Sequence, residues 1–164
     1  MEDLKERVGL EEKLDQAAVT GMTMAVWAEV QPDKVAVIDP TGRRKTFAEI
    51  NTNANKLARL FRQHGVQPGD ALALVCSNRA EFIEVLAATM RTGVRITPVN
   101  WHLNADEIAY IINDCEAKVL VGDARVGALA AASKACENVV LRLAVGGAVE
   151  GFEDYDSALA PLDG

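Results

Sequence analysis

Six consecutive apolar residues, Ala71-Leu-Ala-Leu-Val-Cys76, constrain the fold of this chain more than any other feature. A strand with one wet face alternates apolar and polar side chains, whereas an unbroken apolar run of this length reads as a strand covered on both faces. Pro68-Gly-Asp70 turns the chain into the run. A helical pattern opens at Ser77 and carries Phe82, Ile83, Val85, Leu86 and Met90 to Gly93. A doubly covered strand feeding directly into a helix predicts a parallel sheet.

The same alternation runs through most of the sequence. Residues 17–30 carry Ala18, Met22, Ala25 and Trp27 at helical spacing, and Pro32 ends that run. Lys34 to Asp39, Pro40-Thr-Gly42 and Arg43 to Thr46 read as strand, turn and return strand, a small N-terminal hairpin. Thr46-Phe-Ala-Glu49 is a capping box, and Phe47, Ile50, Ala54, Leu57 and Phe61 follow as one stripe down a helix that stops at Gly65. Val94 to Val99 returns as a strand, with Pro98 tolerated near its end. Asn104 with Glu107 caps a helix to Asp114. Lys118 to Gly122 is the next strand, Ala124 to Cys136 an alanine-rich helix, Val139 to Val145 a further strand, and Asp156 to Ala160 a last helical turn. The expected fold class is therefore α/β: an open, mainly parallel sheet with helices on both faces, plus the small hairpin. A polar extension over 1–16 would precede one α/β unit over 17–164.

Composition narrows the function. At 164 residues, with 49% hydrophobic and 25% charged, the chain suits one ordered domain. No apolar run approaches the roughly 18 residues of a membrane span. Met1-Glu-Asp-Leu-Lys-Glu-Arg7 lacks the basic and apolar regions of a secretory signal, so a cytoplasmic location is expected. Seventeen Lys and Arg against 24 Asp and Glu give a net charge of −7, opposite in sign to the footprint of a nucleic-acid binder. Charge is uneven, because residues 41–64 hold Arg43, Arg44, Lys45, Lys56, Arg59 and Arg62 against Glu49 alone. That stretch reads either as a solvated face or as a dock for an anionic ligand or acidic partner. Cys76, Cys115 and Cys136 are widely spaced within apolar segments and read as core thiols.

Ligands of an open parallel sheet gather beyond the carboxyl ends of its strands, which singles out Ser77-Asn78, Asn100 to Leu103, Gly122 to Arg125 and the turn from Gly146. Gly122-Asp-Ala-Arg-Val-Gly127 has the glycine spacing of a phosphate-cradling loop, yet Ala128-Leu129 stand where lysine and a hydroxyl residue are needed. The two histidines, His64 and His102, sit in no nucleophile or metal motif. His64 ends a basic helix, where a cation suits the helix dipole. Trp101 and His102 are adjacent in a loop, and Trp101 reads either as a packing residue or as a binding platform. Spacing alone assigns no catalytic residue and no metal ligand.

The residues nonetheless form a familiar series. Pro32 to Asp39, Thr46 to Asn51 leading to Ala54 to Ala58, Gly65-Val-Gln-Pro-Gly-Asp70, Ser77-Asn-Arg-Ala-Glu-Phe82, Arg91-Thr-Gly-Val94, Pro98-Val-Asn100 and Leu103 to Tyr110, closing with Ala117 to Val121, come in a fixed order. In that order they resemble the opening of an adenylate-forming (AMP-binding) acyl-CoA synthetase of the fatty-acyl-CoA ligase type. The resemblance implies the N-terminal subdomain of that fold, ending before the phosphate loop. It also implies a parent enzyme that uses ATP and Mg to make an acyl-adenylate from a carboxylic acid, then transfers the acyl group to coenzyme A. On this reading the isolated segment is inactive, binds none of these cofactors tightly, and has the remainder of its own enzyme as a partner. Cut from that body, it would expose apolar surface and could self-associate. In relatives that bind coenzyme A the loop after the Val94 to Val99 strand borders the pantetheine channel, so Asn100, Trp101 and His102 are the implied cofactor-binding positions. The alternative is a stand-alone α/β binding or interaction module without catalysis.

Overall fold

The computed structural model describes the backbone of residues 2–164 and the side chains of residues 9–164. Met1 lies outside the described residues, as do the side chains of most of the acidic opening on which the absence of a signal was read. In chain order the elements are α1 (Glu2–Thr20), α2 (Thr23–Val30), β1 (Val35–Ile38), β2 (Arg44–Thr46), α3 (Phe47–Gln63), β3 (Ala71–Val75) and α4 (Ala80–Thr92). They continue as β4 (Arg95–Pro98), α5 (Ala105–Asp114), β5 (Ala117–Asp123), α6 (Leu129–Lys134), β6 (Leu141–Val145), β7 (Glu153–Asp154) and α7 (Tyr155–Leu159).

β1 and β2 form the antiparallel hairpin. The other strands make one sheet in the order β4-β3-β5-β6-β7, every pairing parallel. All of β3 is buried, and its side chains divide between two cores. Leu72 and Leu74 join Val119, Val121, Leu141 and Leu143 beneath α3, α4 and α7. Ala73 and Val75 join Leu120 beneath α5 and α6. The sheet is thus covered on both faces, as the apolar run requires.

Strand order makes the chain turn back on itself. It leaves β3, crosses through α4 to β4 at the edge, then returns through α5 to β5 on the opposite side of β3. Connections leaving β3 and β5 run to opposite faces, since α4 packs in the first core and α6 in the second. The carboxyl ends of β3 and β5 therefore flank the crevice in which open α/β sheets hold ligands.

Local differences from the sequence reading have physical causes. Residues 17–30 are two helices, broken at Gly21, whose φ is +70° and whose added Cβ would lie 2.2 Å from the carbonyl oxygen of Met90. Backbone meets backbone there, which only glycine permits. The helix expected from Ala124 starts at Leu129, because Asp123 Oδ1 accepts the backbone N–H of Arg125 at 3.0 Å and holds the intervening residues in turns. In α4 the buried face carries Glu81, Glu84, Val85 and Ala88, while Met90 of the expected apolar stripe is 47% exposed. Both carboxylates have partners: Glu84 accepts from Asn53 Nδ2 of α3 at 2.9 Å and Tyr155 Oη of α7 at 2.8 Å, with Lys45 Nζ 3.8 Å away. Burial raises the Glu84 carboxyl above the usual carboxylate range.

The capping box forms: Thr46 Oγ1 accepts from Glu49 N at 3.2 Å and Thr46 N donates to Glu49 Oε2 at 2.8 Å. Replacing Thr46 by Ala should lower unfolding free energy by about 1 kcal/mol. Urea denaturation checks this, with the midpoint moving and the slope unchanged.

Candidate functional site at the carboxyl edge of the sheet

Each strand of the sheet's centre delivers a short polar segment to the same edge. Cys76 and Ser77 follow β3 directly, and Ser77 Oγ donates to Asp123 Oδ2 at the end of β5 at 2.6 Å. Asp123 is 0% exposed. Arg125 closes over this pair, with Nη2 3.2 Å from Asp123 Oδ2 and in contact with Ser77 Oγ. Despite the burial, hydrogen bonds from Ser77 and Arg125 hold the Asp123 carboxyl below its ordinary value. Cys76 shows the opposite balance: burial, with the Asp123 charge adding to it, pushes its thiol up to about 12, too high for a ready nucleophile.

A chain of ion pairs joins the hairpin to this edge. Asp39 Oδ2 pairs with Arg43 Nε at 3.1 Å, Arg43 Nη2 with Glu81 Oε2 at 2.6 Å, and Arg79 Nε with the same Glu81 oxygen at 3.3 Å. The Arg79 guanidinium then lies against Gly146 after β6, where an added Cβ would come within 2.6 Å of Nη1. The hairpin and α4 enclose a cleft of about 560 Å³ lined by Val37, Ile38, Pro40, Phe82 and Ile83, with Asp39, Asn78 and Arg79 also lining it.

Asn100, Trp101 and His102 follow β4, next to β3 on this edge. Asn100 Oδ1 accepts the backbone N–H of His102 at 3.0 Å, and the Trp101 and His102 rings lie 3.6 Å apart between centroids, tilted by 32°. Trp101 is 38% exposed, with its indole against the His102 ring. Asn104 then caps α5, its Oδ1 accepting from Glu107 N at 3.0 Å. His64 is the C-cap of α3, with Nδ1 3.0 Å from the Leu60 carbonyl oxygen. Gly122 serves packing: its added Cβ would lie 2.2 Å from Leu129 Cδ2. Among the described residues no group of three His, Cys, Asp or Glu side chains could hold a metal ion.

The sequence pointed to the loops at Ser77 and Gly122 but not to the Ser77–Asp123–Arg125 contact or the placement of Arg79. The available signal was a polar residue and an arginine directly after each of two apolar strands.

Known proteins share stretches of this sequence and this fold. The profile of the family described as AMP-binding enzyme matches residues 24–160. The chain is 38% identical over 106 residues to 2-succinylbenzoate–CoA ligase of Geobacillus kaustophilus, a match covering 62% of this chain and 21% of that protein. It is 33% identical over 105 residues to long-chain fatty acid transport protein 1 of Homo sapiens, covering 63% of this chain and 16% of that protein. The fold superposes on a fatty acyl CoA synthetase of Mycobacterium tuberculosis with a TM-score of 0.75 at 25% identity, covering 88% of this chain and 28% of that one. The chain thus spans about a fifth or less of the curated relatives it matches.

The ion-pair chain carries a pH signature. Hydrogen bonds from the Thr41 hydroxyl, the backbone N–H groups of Thr41 and Arg43, and the Arg43 guanidinium lower the Asp39 carboxyl from 3.8 to about 2. A depressed acid stabilises the fold fully above its unfolded value, and that contribution is lost as pH falls through the folded value. Asp39→Asn should therefore lower the melting temperature at neutral pH and flatten its decline between pH 3.8 and about 2, as thermal scans across that range will report.

Proposed function

Because the chain belongs to the AMP-binding enzyme family, we infer that it forms the amino-terminal α/β part of an enzyme that activates a carboxylic acid with ATP and transfers the acyl group to coenzyme A. The observation that carries this reading is the family match over residues 24–160, on a fold that superposes on a solved fatty acyl CoA synthetase with a TM-score of 0.75. A fatty acid is the favoured substrate, supported by the names of two of the similar proteins. The reaction would belong to the cytoplasm. Among the described residues no helix is long and apolar enough to cross a membrane.

Within such an enzyme these residues build a wall of the site. Activating a carboxylate makes charge on the transferring phosphates, which needs positioned cations. The described residues hold no ion-binding cluster, so Mg would be held elsewhere. The segment's own contribution is positional. Asn100 fixes the turn that carries Trp101 and His102, and these two rings would border the path of the pantetheine arm. The adenylate would form against other parts of the enzyme. Half-exposed apolar side chains such as Ile38 at 60% and Met90 at 47% would be covered by the remainder of the enzyme, or by a second copy when the segment stands alone.

Two measurements test the reading. The 164 residues alone should release no pyrophosphate from ATP plus a fatty acid, and activity of the purified segment that survives controls for contaminating enzyme would refute this. In the enzyme that carries these residues, Trp101→Asp and His102→Asp should slow thioester formation by roughly tenfold while leaving ATP–pyrophosphate exchange nearly intact, because a contact made only in the second step affects only that step. Equal losses in both half-reactions with a lower melting temperature would leave the loop a packing role only.

A further inference from the structure

The basic stretch over residues 41–64 does not act as one surface. Arg43 and Lys45 lie against buried carboxylates of α4, and Arg59 contacts the backbone carbonyl of Asp163. Arg62 has a different setting. It lines a cavity of about 440 Å³ where α3 and α4 end and the chain turns into β3 and β4, at the amino edge of the sheet. Ser77, Asn100 and Asp123 belong to the opposite edge, where β3, β4 and β5 end.

Arg91 lines the same cavity. Its half-buried guanidinium is fixed from α3, with Nη2 donating to Asn51 Oδ1 at 3.0 Å and Nη1 to Asn55 Oδ1 and, at 3.5 Å, to the Asn51 carbonyl oxygen. Nε donates to the Ala87 carbonyl oxygen at 3.1 Å. Every one of these acceptors is neutral. Among the described residues neither Arg62 nor Arg91 forms an ion pair with a carboxylate. Burial pushes the Arg91 guanidinium below its ordinary value, and no acid acts in the other direction. A cation partly withdrawn from water without a counter-charge is costly, and an anion beside it offsets that cost.

The donors left over define the anion. Four hydrogen bonds use four of the five N–H groups of Arg91, and the Thr92 hydroxyl is spent on the Ala88 carbonyl oxygen at 2.7 Å. Gln67 Nε2 already reaches the Gly65 carbonyl oxygen at 3.3 Å. Arg62 is exposed, and its fork is unengaged among the described residues. One fork and a single further guanidinium N–H suit the two oxygens of a carboxylate better than the three of a phosphoryl group. The rest of the lining is apolar, from Phe61 at 1% exposed, Val66 at 5% exposed and Pro68. We propose that this cavity binds a small organic monocarboxylate, its anion on Arg62 and Arg91 and its apolar body against Phe61, Val66 and Pro68. The site stands on this geometry and not on the activity proposed above.

Titration of the chain with phenylacetate at low salt, followed through backbone amide chemical shifts, tests the site without any catalytic readout. Binding is expected, with the shifts centred on residues 61–68 and 91–92. 2-Phenylethanol, the same body without the charge, should bind roughly tenfold more weakly. Arg62→Gln should weaken phenylacetate binding roughly fivefold or more, whereas Arg44→Gln, exposed on β2 and outside the cavity, should leave it unchanged. An unchanged melting temperature in Arg62→Gln separates loss of the ligand's partner from loss of the fold. Arg91→Lys keeps the charge but not the fork, and should retain part of the affinity. Absence of phenylacetate binding, equal binding of the alcohol, an equal loss in Arg44→Gln, or shifts centred on Ser77 or Asn100 overturns the proposal. So does inorganic phosphate binding more tightly than phenylacetate.

Discussion

Burial of β3 on both faces is the constraint from which the remaining architecture follows. A strand whose every side chain is withdrawn from water needs two apolar layers, and the chain supplies them by sending α3 and α4 to one face and α5 and α6 to the other. Fully burying each large side chain contributes about 1.5 to 3 kcal/mol. Leu72, Leu74, Val119, Leu120 and Val121 together therefore outweigh local preferences wherever the two conflict. Crossing from one face to the other obliges the chain to leave β3 and β5 in opposite directions, and that divergence creates the crevice. The functional edge is in this sense a by-product of hydrophobic covering.

Polar groups then decide how the layers are fixed relative to one another. Glu81, Glu84 and Asp123 are all buried, and each reaches a partner outside its own element. An unpaired carboxylate in such surroundings costs several kcal/mol, so each must find its partner if the fold is to form at all. Hydrophobic packing tolerates small slips between layers. Hydrogen-bonded carboxylates do not, and they give this edge a defined arrangement of side chains.

Much of this was legible in the sequence where a local rule dominates. The apolar run gave the parallel sheet, and the Thr46 and Asn104 caps gave the starts of α3 and α5, because both features act over a few neighbouring residues. Failures came where distant residues decide. Glu81 and Glu84 look like surface charges on a helix until Arg43, Asn53 and Tyr155 are brought to them. Gly21 breaks a helix because of Met90, 69 positions later by residue number. Two-residue β7 has no pattern of its own and exists through its pairing with β6. At the candidate site the loops could be named from the end of each strand, but the Ser77 to Asp123 contact spans 46 residues and leaves no periodic trace.

The Tyr155 to Glu84 hydrogen bond closes a loop of 71 residues and joins α7 to a carboxylate buried in the middle of α4. Closing so long a loop carries a large entropic cost that local helix formation cannot offset early. During synthesis, every strand up to β6 can emerge and begin to pair while Glu84 still lacks this donor. The part of the first core that Tyr155 and Leu159 fill is therefore completed only after α7 has left the ribosome. A helix that supplies a buried proton donor to a carboxylate 71 residues earlier completes that carboxylate's surroundings late, after the layers on either side of it have been made.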